Sequence, residues 1–383
     1  MSKRFLVGVA CTAAFFATIS ARSAHAQGST SLQGLGYPPG ELSTRAQGTA
    51  GALGETDPRS PINPASLARR PDAQVFAQYD PEFRTVTAGG KTSSTMTARL
   101  PNVGGILPIT SRFVVGLSAA TYFDRSWETS RERTQIFGAD TASWTESLKS
   151  EGAITDVRLA AAYAVSARFR IGVAFHTFPG SLRLTSNEIF ADTTKYSNIT
   201  QLTGVAFSGK AVSAGFEADV LPSLTVSASA EKGGTAKMFA NDSLLTTGTI
   251  PDRYSGSVIF SGIPGTLVAV RASHQRWSQL SGLTLAKTGA VDANDFSAGV
   301  ESSGPRFGGG YPLLLRLGIR RRTLPFTVGT SQVQETSFGG GLGVPITLDR
   351  VTLDMSLLRS NRTGVADVSE HAYNLSFGLQ VRP

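Results

Sequence analysis

The chain has 383 residues, with Lys+Arg 36 against Asp+Glu 28, a formal net charge of +8, 41 glycines and one cysteine. Charged residues are 17% of it, where an average chain carries roughly 25%, and its mean hydropathy is −0.02; this excludes a highly charged disordered chain and a bundle of membrane helices. The single cysteine excludes a disulfide scaffold and any cysteine-based zinc site.

Residues 1–26 read as a secretory signal: Lys3 and Arg4 form a positive start, Phe5 to Ile19 an apolar stretch, and Ala24-His25-Ala26 a cleavage site. The stretch is shorter than the roughly 20 residues a spanning helix requires. Cleavage before Gln27 removes three bases (Lys3, Arg4, Arg22) and no acid, taking the charge from +8 to +5, and it removes Cys11. So small a charge over so long a chain makes no basic stripe, which excludes a nucleic-acid partner. The protein is expected to work outside the cytoplasm.

Residues 27–72 do not alternate and are rich in turn formers, among them Gly34, Gly36, Pro38, Pro39, Gly40, Gly48, Gly51, Pro58, Pro61 and Pro64. The segment is too long for an ordinary tail. It is either a periplasmic leader or a plug that folds into the interior of the remaining chain. The small steps Ala46, Gly48, Ala50, Gly51 and Ala52 suit close packing against a wall.

From residue 73 the period is two. Tyr373, Leu375, Phe377, Leu379 and Val381 alternate with Asn374, Ser376, Gly378 and Gln380; Leu315, Leu317 and Ile319 alternate with Arg316, Gly318 and Arg320. These are strands with one apolar and one wet face. Many runs exceed the usual 5–6 residues of a soluble strand and match the 9–11 of a transmembrane one. The wet faces carry Arg158, Arg170, Glu217, Asp219, Glu231, Glu301, Arg316 and Asp354, placements that cost little in a watery lumen and up to about 2–4 kcal/mol in lipid. Strands in lipid must close on themselves, because an open edge leaves backbone groups without partners.

The expectation is therefore an all-β fold, a 14-stranded antiparallel transmembrane β-barrel over 73–383 with the 27–72 segment as a hatch in the lumen. The strands are read at 73–87, 92–107, 112–124, 151–166, 168–180, 199–220, 224–232, 251–261, 266–276, 293–303, 312–322, 332–345, 351–361 and 370–382. Short turns such as Leu221-Pro222-Ser223 alternate with long polar connections at 125–150, 181–198, 233–250 and 277–292. That asymmetry fits short periplasmic turns and long outer loops. The turn Gly304 to Gly310 is the long exception.

The stretch Ser43 to Ala52, then Asp57, then Asn63-Pro64-Ala65-Ser66-Leu67 resembles the N-terminal segment of the outer-membrane long-chain fatty-acid transporters of the FadL type. Pro251-Asp252-Arg253-Tyr254, Arg276-Trp277-Ser278, Thr323-Leu324-Pro325-Phe326 and Glu335 with Gly339 to Gly343 extend the likeness along the chain. The resemblance implies a bacterial outer-membrane location, a hatch in the lumen, and passive uptake of long-chain fatty acids or other hydrophobic small molecules. It also implies a pocket and a sideways exit beside a kinked strand. The chain departs from many outer-membrane proteins in ending on Val381-Arg382-Pro383 and not on an aromatic residue.

Among the candidate site residues, Asn63, Pro64 and Ala65 anchor the hatch or merely start a helical turn. Arg158, Arg170 and Arg316 suit a carboxylate head group or pair with lumen acids such as Glu217, Asp219 or Asp354. Phe175 and Phe178 line an apolar pocket or belong to an interface girdle. Gly104, Gly105 and Gly116 are positions where a strand can bend. Arg320-Arg321-Arg322 meets lipid head groups or ends a solvated strand. His176, His274 and His371 show no metal spacing and no Gly-x-Ser-x-Gly elbow is present, so a serine and a histidine could meet only across strands. No enzyme chemistry, cofactor or metal is expected. The partners expected are outer-membrane lipid and a hydrophobic ligand; in the other reading the barrel is an attachment or shuttle partner for secreted proteins.

Overall fold

The computed structural model describes residues 36–383 apart from 89–90, 138–139, 241, 284–289, 307–311, 329–330, 348–349 and 366–367. The signal segment 1–26, residues 27–35 of the hatch and most of the Gly304 to Gly310 turn lie outside the described residues.

Fourteen antiparallel strands close into a barrel. They are β1 (Gln74–Ala88), β2 (Lys91–Pro108), β3 (Phe113–Asp124, continued as Trp127–Phe137), β4 (Asp140–Ala164) and β5 (Phe169–Thr177, continued as Gly180–Phe190). Then come β6 (Ile199–Ser208 and Lys210–Leu221), β7 (Leu224–Gly233 and Thr235–Ala240), β8 (Ser243–Thr249 and Arg253–Ile263) and β9 (Thr266–Gln275). The last are β10 (Ala293–Arg306), β11 (Pro312–Val328), β12 (Ser331–Thr347), β13 (Val351–Val365) and β14 (Val368–Val381). Each strand pairs with its sequence neighbour, and β1 closes the ring by pairing with β14 from Val75↔Val381 to Ala88↔Val368. Among the described residues no helix is long and apolar enough to cross a membrane.

The alternation works as the sequence implies. In β14, Tyr373 and Leu379 are exposed on the outside while Ala372, Ser376 and Gln380 are buried inside. In β11, Leu315, Leu317 and Ile319 face out, and Arg316 and Arg320 face in. An apolar exterior of this kind is the surface that a transmembrane barrel turns to lipid.

Three connections expected as long outer loops are strand instead. Segments 125–150, 181–198 and 233–250 largely continue β3, β4, β5, β7 and β8 beyond the apolar band, and β4 alone runs 25 residues. At about 3.3 Å per residue that is on the order of 80 Å of strand, far more than an apolar band of about 25 Å demands. These extensions are wet on both faces, so they lack the alternation that marks a half-buried strand. They are held by cross-strand pairs such as Arg131–Glu146 at 2.7 Å. The 277–292 connection contains a 3-10 helix, Trp277–Leu283.

The N-terminal segment fills the lumen. Ser43 caps a five-residue helix, α1 (Thr44–Gly48), by accepting from the Ala46 N–H. Asn63 caps a 3-10 helix, Pro64–Arg69, with proline at its first turn. Ala46, Ala50, Ala52, Leu53, Ile62 and Ala65 are all buried against the wall. Gly318 makes the close approach possible, since a Cβ there would collide with the Thr49 carbonyl. Charged pairs tie the segment round the ring: Arg45 to Glu301 at 2.5 Å, and Arg59 to Asp57 at 3.1 Å and Asp354 at 2.5 Å. Burial alone would raise the Asp57 carboxyl, but Arg59 and Arg45 hold it well below the usual range.

Candidate functional site

The wall is not evenly laddered. Among the described residues β2 pairs with β3 only from Asn102↔Ala120 to Pro108↔Val114. Beyond that level β2 continues along β1 as far as Lys91↔Ala88, and the outer part of β3 pairs with β4 alone. The two strands diverge and leave a break in the barrel between 91–101 and 121–137. Backbone groups at such an edge need partners, and the hatch supplies them: the Tyr37 N–H donates to the Asp124 carbonyl at 2.6 Å and the Asp124 N–H to the Tyr37 carbonyl at 2.9 Å.

Tyr37 is held by its ring as well. The guanidinium of Arg362 lies 4.2 Å from the ring centre, and those of Arg322 and Arg84 lie 5.2 Å away. Its hydroxyl donates to Glu335 at 2.9 Å and accepts from Arg322. Glu335 in turn binds Arg322 and Arg362, each at 2.6 Å, and Arg84 binds Glu82 at 2.7 Å. Burial pushes the Tyr37 hydroxyl up. The middle of the Arg320-Arg321-Arg322 run alone faces outward; Arg320 and Arg322 are buried in the lumen, because a period of two sends neighbours to opposite faces.

Beside the break lies a packed apolar cluster, called the chamber below. Tyr122 meets Phe178 edge-on at 4.7 Å and stacks on Trp277 at 5.5 Å, and Phe123 lies 5.1 Å from Trp277. Val205, Phe207, Met238, Leu280, Leu324 and Phe326 complete the cluster. Beneath it, a cavity of about 40 Å³ opens between Glu41, Ile62, Arg253 and Trp277. That is room for a water or two, not for a ligand of the size that fills a 300–1,000 Å³ pocket. On the other side of the hatch, toward the start of β1, a cavity of about 460 Å³ is lined by Arg59, Arg69, Arg316, Asp354 and Gln380. Residues of the hatch line both, Glu41 and Ile62 the first and Arg45 and Arg59 the second.

Asn63 Oδ1 accepts from the Ala65 N–H at 3.0 Å and Nδ2 donates to the Phe216 carbonyl at 3.2 Å. The turn rests on β5 and β6, where a Cβ at Gly172 would meet Ala65 N at 2.5 Å and one at Gly215 would collide with Asn63 Oδ1. Gly104, Gly105 and Gly116 lie in the laddered half of β2 and β3, below the break. The irregularities of β3 fall instead between Thr121 and Phe123 and at Arg125–Ser126.

The arginines divide. Arg170 binds Glu217 and Asp219, each at 2.9 Å, and Arg316 binds Glu301 and Asp354, each at 2.6 Å. Arg158 is 2% exposed, and its Nε and Nη2 find no hydrogen-bond partner among the described residues. Of the phenylalanines, Phe178 is buried in the chamber and Phe175 is 45% exposed on the outer wall. His176 meets Asp156 and Ser213 across strands. Among the described residues no cluster of three His, Cys, Asp or Glu is placed to hold a metal. Nothing local in the sequence marks Tyr37, Tyr122 or Asp124 as parts of this site.

The described strands thus form a closed fourteen-stranded barrel with residues 36–72 in its lumen and a break in its wall. No protein-family model matches the sequence, and no curated protein matches it. Among solved structures, a Pseudomonas aeruginosa FadL homologue aligns at a TM-score of 0.60 and 12% identity over 91% of this chain and 99% of that one. The Ralstonia pickettii toluene transporter TbuX aligns at 0.58 and 14% over 90% and 99%. The monoaromatic hydrocarbon channel CymD aligns at 0.56 and 15% over 91% and 98%. The chain has the fold of the FadL-type channels.

Proposed function

We propose that this chain is a FadL-type channel of the outer membrane that passes hydrophobic small molecules by diffusion, long-chain fatty acids or hydrocarbons among them. The observation that carries the reading is the break between β2 and β3, sealed by Tyr37. An apolar molecule gains nothing by entering a watery pore, and a chamber that empties sideways into lipid spares it that step. In this reading the Asn63-Pro64-Ala65 turn seats the hatch and Tyr37 latches it. Phe178 lines the chamber, and Arg158, a buried cation whose Nε and Nη2 have no hydrogen-bond partner among the described residues, receives a carboxylate head group where the ligand has one. Arg170 and Arg316 serve the wall.

The test is uptake of labelled oleate and labelled toluene into cells that lack their own channels. Uptake above the empty-vector level supports the reading, and the ratio between the two ligands names the class. Uptake of neither, with the barrel folded in the outer membrane, overturns it.

A further inference from the structure

The lumen wall carries a second arrangement, of which the transport reading uses only Arg158 and Phe178. Asp156 and Arg158 stand two residues apart on β4 and so share its inner face. His176 lies directly across from Arg158 on β5, and Ser213 lies across from Ala174 on β6. His176 Nδ1 is 2.9 Å from Asp156 Oδ2, and its Nε2 is 2.8 Å from Ser213 Oγ. With Asp156 ionised, Nδ1–H donates to it and Nε2 accepts the serine proton. All three side chains are buried: Asp156 at 1% exposed, His176 at 0% and Ser213 at 5%.

A chain of hydrogen bonds can be no more than wall packing, so the surroundings decide. Arg253, Arg316, Arg322 and Arg362 each have carboxylates on them, as a buried cation requires. Arg158, next to the histidine, leaves Nε and Nη2 without partners among the described residues. On the other side of His176 the Phe178 ring lies parallel at 6.2 Å, and Phe178 belongs to the buried apolar cluster. A base-activated serine, free donors for a developing oxyanion and an apolar wall thus converge across three neighbouring strands.

We propose that Ser213 is a nucleophilic serine, activated by His176 and Asp156, in a hydrolytic site for esters of apolar acyl chains. Ser213 Oγ bonds to the ester carbonyl carbon as its proton passes to His176 Nε2, and the carbonyl electrons move onto the oxygen, where the Arg158 donors meet them. Collapse expels the alcohol, which takes the proton from His176 and leaves an acyl-serine. A water gives its proton to His176 and attacks the acyl carbon, releasing the acid and restoring Ser213. The hatch covers the site: Asn63 sits on Gly215, two residues from Ser213. Turnover follows hatch movement.

The experiment treats the full chain in mild detergent with a fluorophosphonate probe and maps the adduct by peptide mass spectrometry. The parent and the unlatched Tyr37→Ala variant are run together, and hydrolysis of p-nitrophenyl butyrate and laurate is followed in parallel. An adduct on Ser213, faster in the unlatched variant, is expected. It should be lost in Ser213→Ala and slowed at least tenfold in His176→Gln, with laurate preferred to butyrate. Heat-dependent gel mobility shows that each variant is a folded barrel. No adduct on Ser213 in either chain, or labelling only elsewhere, overturns the proposal and leaves the transport reading untouched.

Discussion

Tyr37 and Asp124 form a hydrogen-bonded antiparallel pair where the wall itself has no ladder: each backbone N–H donates to the other's carbonyl, at 2.6 and 2.9 Å. A residue of the plug thus stands in for a missing stretch of strand. The same residue seals the break and latches the hatch, so opening one opens the other.

That pairing makes a clean lock. Residues in such a pair have Cα atoms about 5.5 Å apart, within the span of a disulfide, and the chain's only cysteine is Cys11 in the signal segment. In a Tyr37→Cys, Asp124→Cys double variant, oxidation is expected to abolish uptake of labelled ligand and reduction to restore it. Uptake unaffected by oxidation, with the disulfide shown by mass spectrometry, would place the route elsewhere.

The latch has a chemical part that can be removed alone. Tyr37→Phe keeps the ring among Arg84, Arg322 and Arg362 but deletes the hydroxyl bonded to Glu335. Losing a hydrogen bond to a charged group costs about 1.5–3 kcal/mol. Trypsin should cut at Arg45 and Arg59 faster in this variant by roughly tenfold or more, and faster again in Tyr37→Ala.

The notches under the hatch give an independent test. Gly215→Ala drives a methyl into Asn63 Oδ1, and overpacking of this kind costs about 1–3 kcal/mol. The same methyl comes within 2.9 Å of the Ala228 carbonyl on β7, a smaller conflict that a slight shift of the strand absorbs. The variant is expected to fold with an unchanged circular-dichroism spectrum while Arg59 becomes open to trypsin. An equally protected hatch would show that the Asn63 turn yields without consequence.

Legibility in the sequence depends on where the physics is local. The apolar faces of β11 and β14 announce themselves, because Leu315, Leu317, Tyr373 and Leu379 must meet lipid and their neighbours must not. The outer run Trp127–Phe137 of β3 has water on both sides, so Glu128, Arg131 and Arg133 obey no period and read as loop. The Tyr37 latch draws Arg84, Arg322, Glu335 and Arg362 from four strands, and the Asp156–His176–Ser213 chain draws on three. Only closure of the barrel brings them together. The Asn63-Pro64-Ala65 turn was visible because its cap is local, whereas its seat on Gly172 and Gly215 was not.

The hatch is expected to loosen with rising pH. Burial pushes the Glu41 carboxyl up to about 7 from an ordinary 4.5, against the pull of Arg253. A carboxyl raised in the closed state binds its proton more tightly there than in the open state. Its contribution to closure is present in full below about pH 4.5, declines as the pH rises, and is gone above about pH 7. Trypsin cleavage at Arg59, corrected for the protease's own pH profile, should increase from pH 5 to 8. Glu41→Gln should flatten that dependence; a slope unchanged in the variant would assign it to another group.

Arg158 and Arg316 are the sharpest contrast, since both are buried lumen arginines and, among the described residues, only Arg316 has carboxylates in direct contact with its guanidinium. Arg316→Gln strips the shared cation from Glu301 and Asp354, and breaking a buried pair costs about 3–5 kcal/mol. A lowered unfolding midpoint in urea is expected, with uptake of every ligand falling alongside it. Arg158→Gln removes a cation whose Nε and Nη2 hold no hydrogen bond among the described residues, so the barrel should lose far less stability than in Arg316→Gln. If its guanidinium receives a carboxylate, oleate uptake should fall by about tenfold, the worth of one charge-assisted contact of about 1.4 kcal/mol, while toluene uptake stays at the parent level. Equal losses for both ligands would make Arg158 a wall residue like Arg316.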